Sequence, residues 1–184
     1  MSELIKETSQ HLIAGNTILY PTDTVWGIGC DATNFEAITK VYQLKKRSES
    51  KSLIVLVSSL SMLKKYVSVP KSICELLKKS NQPTTIIYEN PTGFAKNAIA
   101  SDGTIAIRVV LDPFCRKLIK KFQKPIISTS ANISGDETPK SFQEISQPIL
   151  EGVDYIVNLH ENRACTKPST ILKVVGSKVQ VLRA

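Results

Sequence analysis

The chain has 184 residues, 42% of them hydrophobic, so it can bury a sizeable core and reads most simply as one domain spanning residues 1–184. It has no run of about 20 apolar residues that could cross a bilayer. Its start, Met1-Ser2-Glu3-Leu4-Ile5-Lys6-Glu7, lacks the apolar stretch of a signal peptide, so no membrane and a cytoplasmic location are expected. The net charge of +8 is uneven: residues 40–124 hold 17 of the 24 Lys and Arg but 5 of the 16 Asp and Glu, which points to a nucleotide, a nucleic acid or both as partner.

Helices and strands alternate along the chain. Leu4 to Ala14 has the apolar spacing of an amphipathic helix stopped by Gly15, and Thr17–Tyr20 reads as a short strand. A helix is expected over Phe35–Leu44, then a strand at Leu53–Val57, whose unbroken apolar run fits a strand covered on both faces. Helical segments follow at Leu60–Tyr66 and Lys71–Lys79, the second just after Pro70. Further strands are expected at Thr85–Tyr88, Thr104–Val110, Ile126–Ser128, Tyr155–Val157, Thr170–Val175 and Val179–Leu182, with helices over Phe114–Phe122 and Phe142–Leu150. The pattern defines an α/β fold: a single domain with a twisted, mixed parallel and antiparallel sheet flanked by helices. Lys64-Lys65, Lys78-Lys79 and Lys120-Lys121 read as solvated helix ends, where cations suit the helix dipole.

Cys30, Cys74, Cys115 and Cys165 are far apart, with no C-x-x-C pair, so reduced thiols are expected rather than a zinc site or a disulfide framework. The only histidines are His11, on a helix where packing is its natural role, and His160, which leaves little from which to build a Ser-His-Asp triad or a histidine metal site.

Three segments concentrate polar chemistry. In Ser128-Thr129-Ser130-Ala131-Asn132-Ile133-Ser134-Gly135, short hydroxyl and amide side chains follow a buried strand, a setting in which loop N–H groups can approach phosphate or carboxylate oxygens. The same residue types also serve as helix caps and local turn formers. In Tyr20–Ala32, two threonines and Asp23 follow a strand. Gly27 and Gly29 would share one face of an extended segment, leaving room for a ligand, for close packing or for a tight bend. Gly27-x-Gly29-x-x-Ala32 formally matches a dinucleotide fingerprint, but no helix opens at these glycines and no acid stands at the required spacing on a strand end. In Lys45-Lys46-Arg47-Ser48-Glu49-Ser50-Lys51, four cations in seven residues could clamp phosphates or simply form a solvated face. Thr104 with Arg108, Ser169-Thr170, and Arg183 are further candidates near strand ends, with Thr104, Ala106 and Arg108 on one strand face.

These segments occur in a recognisable order: YPTDTVWGIGCDA, K-x-R with a lysine four residues beyond, TIAIR, STSANISG and PSTI. Together they resemble the YrdC/TsaC family of threonylcarbamoyl-adenylate synthases, in the short single-domain form, over nearly the whole chain. The resemblance implies a concave, positively charged sheet face. It also implies condensation of L-threonine, bicarbonate or carbon dioxide, and ATP to threonylcarbamoyl-AMP and pyrophosphate, with Mg2+ accompanying ATP. The product would pass to a transferase complex that modifies tRNA. By the same resemblance, Thr24, Arg108, Ser128 and Ser169 would bind threonine. Arg47, Lys51, Thr104, Ser130, Asn132, Thr138 and Arg183 would bind ATP, and Lys45, Arg47, Ser130 and Asn132 would form the reacting centre. No metal ligand set is implied; among the acids of the motifs, Asp23 is the one considered for a metal.

The sequence departs from the family pattern at Asn81-Gln82-Pro83-Thr84-Thr85, where only Pro83 and Thr85 of P-G-P-x-T remain. It also departs at Trp26, Ser48, Val109-Val110, Asn158-Leu159-His160 and the residue after Arg183. Two other readings stay open: a non-catalytic module that binds tRNA or rRNA through a basic face, which could also accompany catalysis weakly, and transfer of a different carbamoyl group. The first has no stacking aromatic within Lys45–Lys51 or Ser128–Gly135.

Overall fold

The structure, a computed structural model, describes residues 1–48, 53–159, 169–175 and 178–183. Helix starts follow capping chemistry. The Asn34 side chain accepts the Ala37 N–H at 3.0 Å and opens α2 (Phe35–Leu44). Ser59 accepts the Met62 N–H and opens the single turn α3 (Leu60–Leu63). Asp112 accepts the Cys115 N–H at 2.9 Å before α5 (Pro113–Phe122), whose first position is a proline that has no N–H to leave unpaired. The N-terminal helix α1 (Ser2–Ile13) buries Ile5, Thr8, Ser9 and Leu12 and packs against α5, and α4 (Lys71–Lys79) follows Pro70. His11 has a packing role, stacked on Tyr155 with ring centres 4.1 Å apart.

Nine strands form one sheet among the described residues: β1 (Ile18–Tyr20), β2 (Gly27–Gly29), β3 (Ile54–Val57), β4 (Thr84–Glu89), β5 (Thr104–Val109), β6 (Ile126–Ser130), β7 (Tyr155–Ile156), β8 (Thr170–Val175) and β9 (Lys178–Arg183). Their order across the sheet is β7-β1-β2-β6-β3-β5-β4-β8-β9. The pairs β1/β7, β3/β5 and β4/β8 are parallel and the rest antiparallel, which makes the sheet mixed, as expected.

The register builds the site. One row runs Ser128–Ile54–Ala106–Ile87 across β6, β3, β5 and β4. The next runs Leu56–Arg108–Thr85–Ile171–Arg183 across β3, β5, β4, β8 and β9. A bulge between Ile171 and Leu172 sets Arg183 opposite Ile171; bulges of this kind re-aim side chains.

Four elements differ from expectation, the first being β2, a strand at Gly27–Gly29 that the expected strands do not include. The strand at Ile126 runs on through Ser130, because Thr129 pairs with Ile28 and Ser130 with Gly27. Phe142–Leu150 is split into a 3-10 turn at Phe142–Glu144 and α6 (Gln147–Gly152), since Pro148 can supply no helical N–H and belongs in the first turn of a new helix. The helix from Leu60 regularises only to Leu63. Cys30, Cys74 and Cys115 are buried and unpaired, while the expectations for Cys165 and His160 lie outside the described residues.

Gly29 separates two functions of the glycine pair. A β-carbon there would stand 2.7 Å from the Ile127 carbonyl oxygen and 2.7 Å from the Tyr20 ring, so the glycine serves close packing. Gly29→Ala should therefore destabilise the fold by about 1–3 kcal/mol, the range for overpacking a well-filled core. Urea unfolding checks this, and an unchanged midpoint would contradict it.

Candidate active site

The loop after β1 is organised by Thr22. Its hydroxyl accepts the N–H groups of Thr24 at 3.1 Å and Val25 at 3.3 Å and donates to the Val25 carbonyl at 2.7 Å. This local turn is the ordinary use of a threonine hydroxyl in a tight loop. It aims Asp23 and Thr24 at Arg108 on β5. Arg108 Nη1 donates to Thr24 Oγ1 at 3.2 Å, and Nη2 lies 3.2 Å from Asp23 Oδ1. The other Asp23 oxygen accepts the Leu111 N–H at 3.0 Å. Arg108 is only 3% exposed, so an uncompensated charge there would be costly; Asp23 offsets it. Arg108 Nε is buried and lacks a hydrogen-bond partner, and the residue lines the cleft.

The basic turn enters from the other side. Helix α2 ends with Lys46 in the left-handed region at φ 49°, the Arg47 N–H reaching back to the Tyr42 carbonyl and the Lys46 N–H to the Gln43 carbonyl. This helix-ending turn carries Arg47 to the cleft wall. Lys45 goes elsewhere. It is 1% exposed, its ammonium donates to the backbone carbonyls of Ser130 and Asn132, and its own carbonyl accepts the Ser134 N–H at 2.8 Å. Burial, with the neighbouring Arg47 charge, lowers its pKa to about 8.

Ser169 closes the far wall. Its hydroxyl pairs with Thr85 Oγ1 at 2.9 Å, and its carbonyl accepts from Arg183 Nε at 3.0 Å and Nη2 at 2.7 Å. Between these walls lies a cleft of about 390 Å³. Of the residues expected from sequence, Thr24, Arg47, Arg108, Ser128, Ser130, Thr138, Ser169 and Arg183 line it together. Such a cleft, with three guanidinium groups, several hydroxyls and an apolar floor, can hold a carboxylate and a polyphosphate side by side.

Three expected residues are not on its wall. Lys45 points its charge at loop carbonyls, so it is a positioning residue for Ser130. Asn132 is turned inward by its own loop: Nδ2 donates to the carbonyls of Ile133 and Asp136 at 2.8 and 3.0 Å. Thr104 caps a turn by donating to Asp102 Oδ1 at 2.6 Å, a bond that helps hold the Asp102 carboxyl below its usual range. Lys51 lies outside the described residues. Sequence reasoning singled out the segments holding Thr22 and Thr129 without giving those residues a role, and left out the apolar floor of Leu53, Ile54, Ile87 and Ile171 beside Ala106. The alternation in β5 signalled Ala106; the others needed the cross-strand register.

The fold and cleft define an α/β protein with a cleft lined by guanidinium and hydroxyl groups on one face of a mixed sheet. The chain belongs to the Sua5/YciO/YrdC family, whose family model, described as telomere recombination, matches residues 10–184. It is 36% identical over 176 residues to a threonylcarbamoyl-AMP synthase of Pseudoalteromonas translucida, covering 91% of each chain. Among solved structures, E. coli YciO superposes with a TM-score of 0.86 at 24% identity, covering all of this chain and 89% of YciO. P. abyssi Sua5 complexed with L-threonine superposes with a TM-score of 0.87 at 23% identity over 97% of this chain, which spans 53% of that Sua5 chain. No helix among the described residues is long and apolar enough to cross a membrane.

The Lys45 environment gives a signed pH effect. Its folded pKa of about 8 lies below the ordinary 10.5, so between these values the unfolded chain binds more protons at this site. Its contribution to stability therefore rises with pH through that window and is smallest below about 8. Lys45→Met should remove this rise, measured by urea unfolding at several pH values across the window; equal slopes for the variant and the parent chain would contradict the assignment.

Proposed function

We propose that the protein is an L-threonylcarbamoyladenylate synthase, a nucleotidyltransferase that condenses L-threonine, bicarbonate or carbon dioxide, and ATP to threonylcarbamoyl-AMP and pyrophosphate. The observation that carries the reading is the convergence, in one cleft, of Thr24, Arg108, Ser128 and Ser169 with Arg47, Ser130, Thr138 and Arg183. The name of the Pseudoalteromonas relative and the threonine complex of P. abyssi Sua5 support it.

In this reading the threonine amine attacks carbon dioxide, forming a C–N bond and releasing a proton to solvent. A carbamate oxygen then attacks the α-phosphorus of ATP, and the bond between that phosphorus and the bridging oxygen breaks to release pyrophosphate. No side-chain nucleophile is needed, and the protein acts by alignment and charge neutralisation. The Arg108 guanidinium and the hydroxyls of Thr24, Ser128 and Ser169 hold the threonine end. Arg47, Ser130, Thr138 and Arg183 hold the nucleotide end, where Arg47 and Arg183 offset charge on the phosphates. Mg2+ enters with ATP as part of the substrate; Asp23 is paired with Arg108 and accepts the Leu111 N–H. The labile product would serve threonylcarbamoyladenosine formation in tRNA through a partner transferase complex, in the cytoplasm.

Incubation with ATP, Mg2+, bicarbonate and L-threonine, followed by rapid quenching and mass spectrometry, tests the reading. Threonylcarbamoyl-AMP should appear only when all substrates are present, with matching pyrophosphate. Arg47→Ala should reduce kcat/KM by the equivalent of about 2–4 kcal/mol, as expected for loss of an electrostatic donor at the reacting phosphates. A folded variant with unchanged kcat/KM would remove Arg47 from the mechanism.

A further inference from the structure

We propose that the methyl group of Thr22, beside the hydroxyl of Ser128, sets the amino-acid specificity of the cleft. Together they select a substrate with one methyl and one hydroxyl on its β-carbon, in the configuration of L-threonine. The substrate class rests on the synthase reading of the cleft; the role of Thr22 goes beyond it.

Thr22 carries more than its turn needs. Its hydroxyl accepts the Thr24 and Val25 N–H groups, donates to the Val25 carbonyl and lies 3.0 Å from Thr24 Oγ1. All of these contacts are made by the oxygen, and a serine hydroxyl folds the same kind of turn. The methyl is therefore left over from the local structure. It lies over Gly27, where a β-carbon would stand 3.3 Å from Thr22 Cγ2, 3.2 Å from Ser128 Oγ and 3.4 Å from the Thr129 carbonyl oxygen. Thr22, Gly27, Ser128 and Thr129 all line the cleft.

Gly27 explains how the two groups come to share one place. It is a strand residue of β2 without a positive φ, so the position uses the missing side chain and not backbone freedom. Gly29 leaves room for a carbonyl and a ring of the protein itself, whereas Gly27 leaves a methyl and a hydroxyl side by side in the cleft wall. Thr22 and Ser128 are both buried, so a ligand group seated against them sheds water. Arg108 and Thr24 stand in the same wall and fix the carboxylate end.

L-Threonine presents the matching pair: its hydroxyl meets Ser128 Oγ and its methyl meets Thr22 Cγ2. L-Serine loses the apolar contact. L-allo-Threonine exchanges the two groups, so its methyl faces the Ser128 hydroxyl and its hydroxyl faces the Thr22 methyl. One methyl in an apolar contact is worth about 10–200-fold in selectivity, and a hydroxyl left facing a methyl costs more.

Calorimetric titration of the parent chain and Thr22→Ser with L-threonine, L-serine and L-allo-threonine tests this. The parent should bind L-threonine at least about tenfold more tightly than either of the others. Thr22→Ser keeps the oxygen and hence the turn; its preference for L-threonine over L-serine should fall to within about threefold. Its ATP affinity should stay within about twofold of the parent's, the tolerance for separate sites, whereas general damage to the fold would lower both. Gly27→Ala, which drives a β-carbon between the two groups, should weaken L-threonine by roughly tenfold or more, as overpacking does. No preference in the parent, an unchanged ratio in Thr22→Ser, or binding of L-allo-threonine as tight as that of L-threonine would each overturn the proposal. So would unchanged L-threonine affinity in Gly27→Ala. A parent chain that selects L-threonine through Thr22 but forms no threonylcarbamoyl-AMP would support this proposal and defeat the synthase reading. Product formation with the same selectivity in the parent and Thr22→Ser would do the reverse.

Discussion

The contact on which the site depends is the buried pairing of Arg108 with Asp23. A guanidinium in the middle of a sheet, almost without solvent, is tolerable only with a compensating charge and accepting oxygens. Asp23 and Thr24 supply both, and they can do so only because the Thr22 hydroxyl folds the loop that carries them. The pair therefore fastens the loop after β1 to β5, and through Leu111 to the end of that strand. The same pairing holds Arg108 in the cleft wall, so one contact both fastens the sheet and sets a cation beside the cleft.

A second fastening acts across the cleft. Lys45 binds the Ser130 and Asn132 carbonyls through its ammonium and the Ser134 N–H through its carbonyl, so the helix-ending turn and the polar loop move as one body. Arg47 follows two residues later, and Ser130 is held by the same lysine. Their separation is thereby set by the fold itself. Ser169 acts similarly on the third side, linking Thr85 of β4 to Arg183 of β9.

Much of this was legible in the sequence, for physical reasons that differ by residue. The strands and helices followed from apolar spacing, while the caps Asn34, Ser59 and Asp112 emerged from the structure. The hydroxyl and cation clusters marked the cleft because they fall where strands end. What residue type leaves open is where polar side chains spend their hydrogen bonds. Asn132 and Thr104 satisfy their own loops, a local competition that residue type alone does not resolve. In the run Lys45-Lys46-Arg47, the left-handed turn at Lys46 decides which cation faces the cleft and which is buried. The apolar floor was hidden because Ile54, Ile87 and Ile171 share a face only through long-range register. The continuation of β6 through Ser130 was hidden for the same reason, since it rests on pairing with Gly27 about a hundred positions away.

The central claim is that the cleft reserves charge-assisted donors, led by Arg108, for a carboxylate. Calorimetric titration with L-threonine and with L-threoninol, which carries a hydroxymethyl group in place of the carboxylate, tests it directly. L-Threonine should bind about 10–100-fold more tightly, the range expected for hydrogen bonds to a charged group. Equal affinities, or no binding of either compound, would contradict the account.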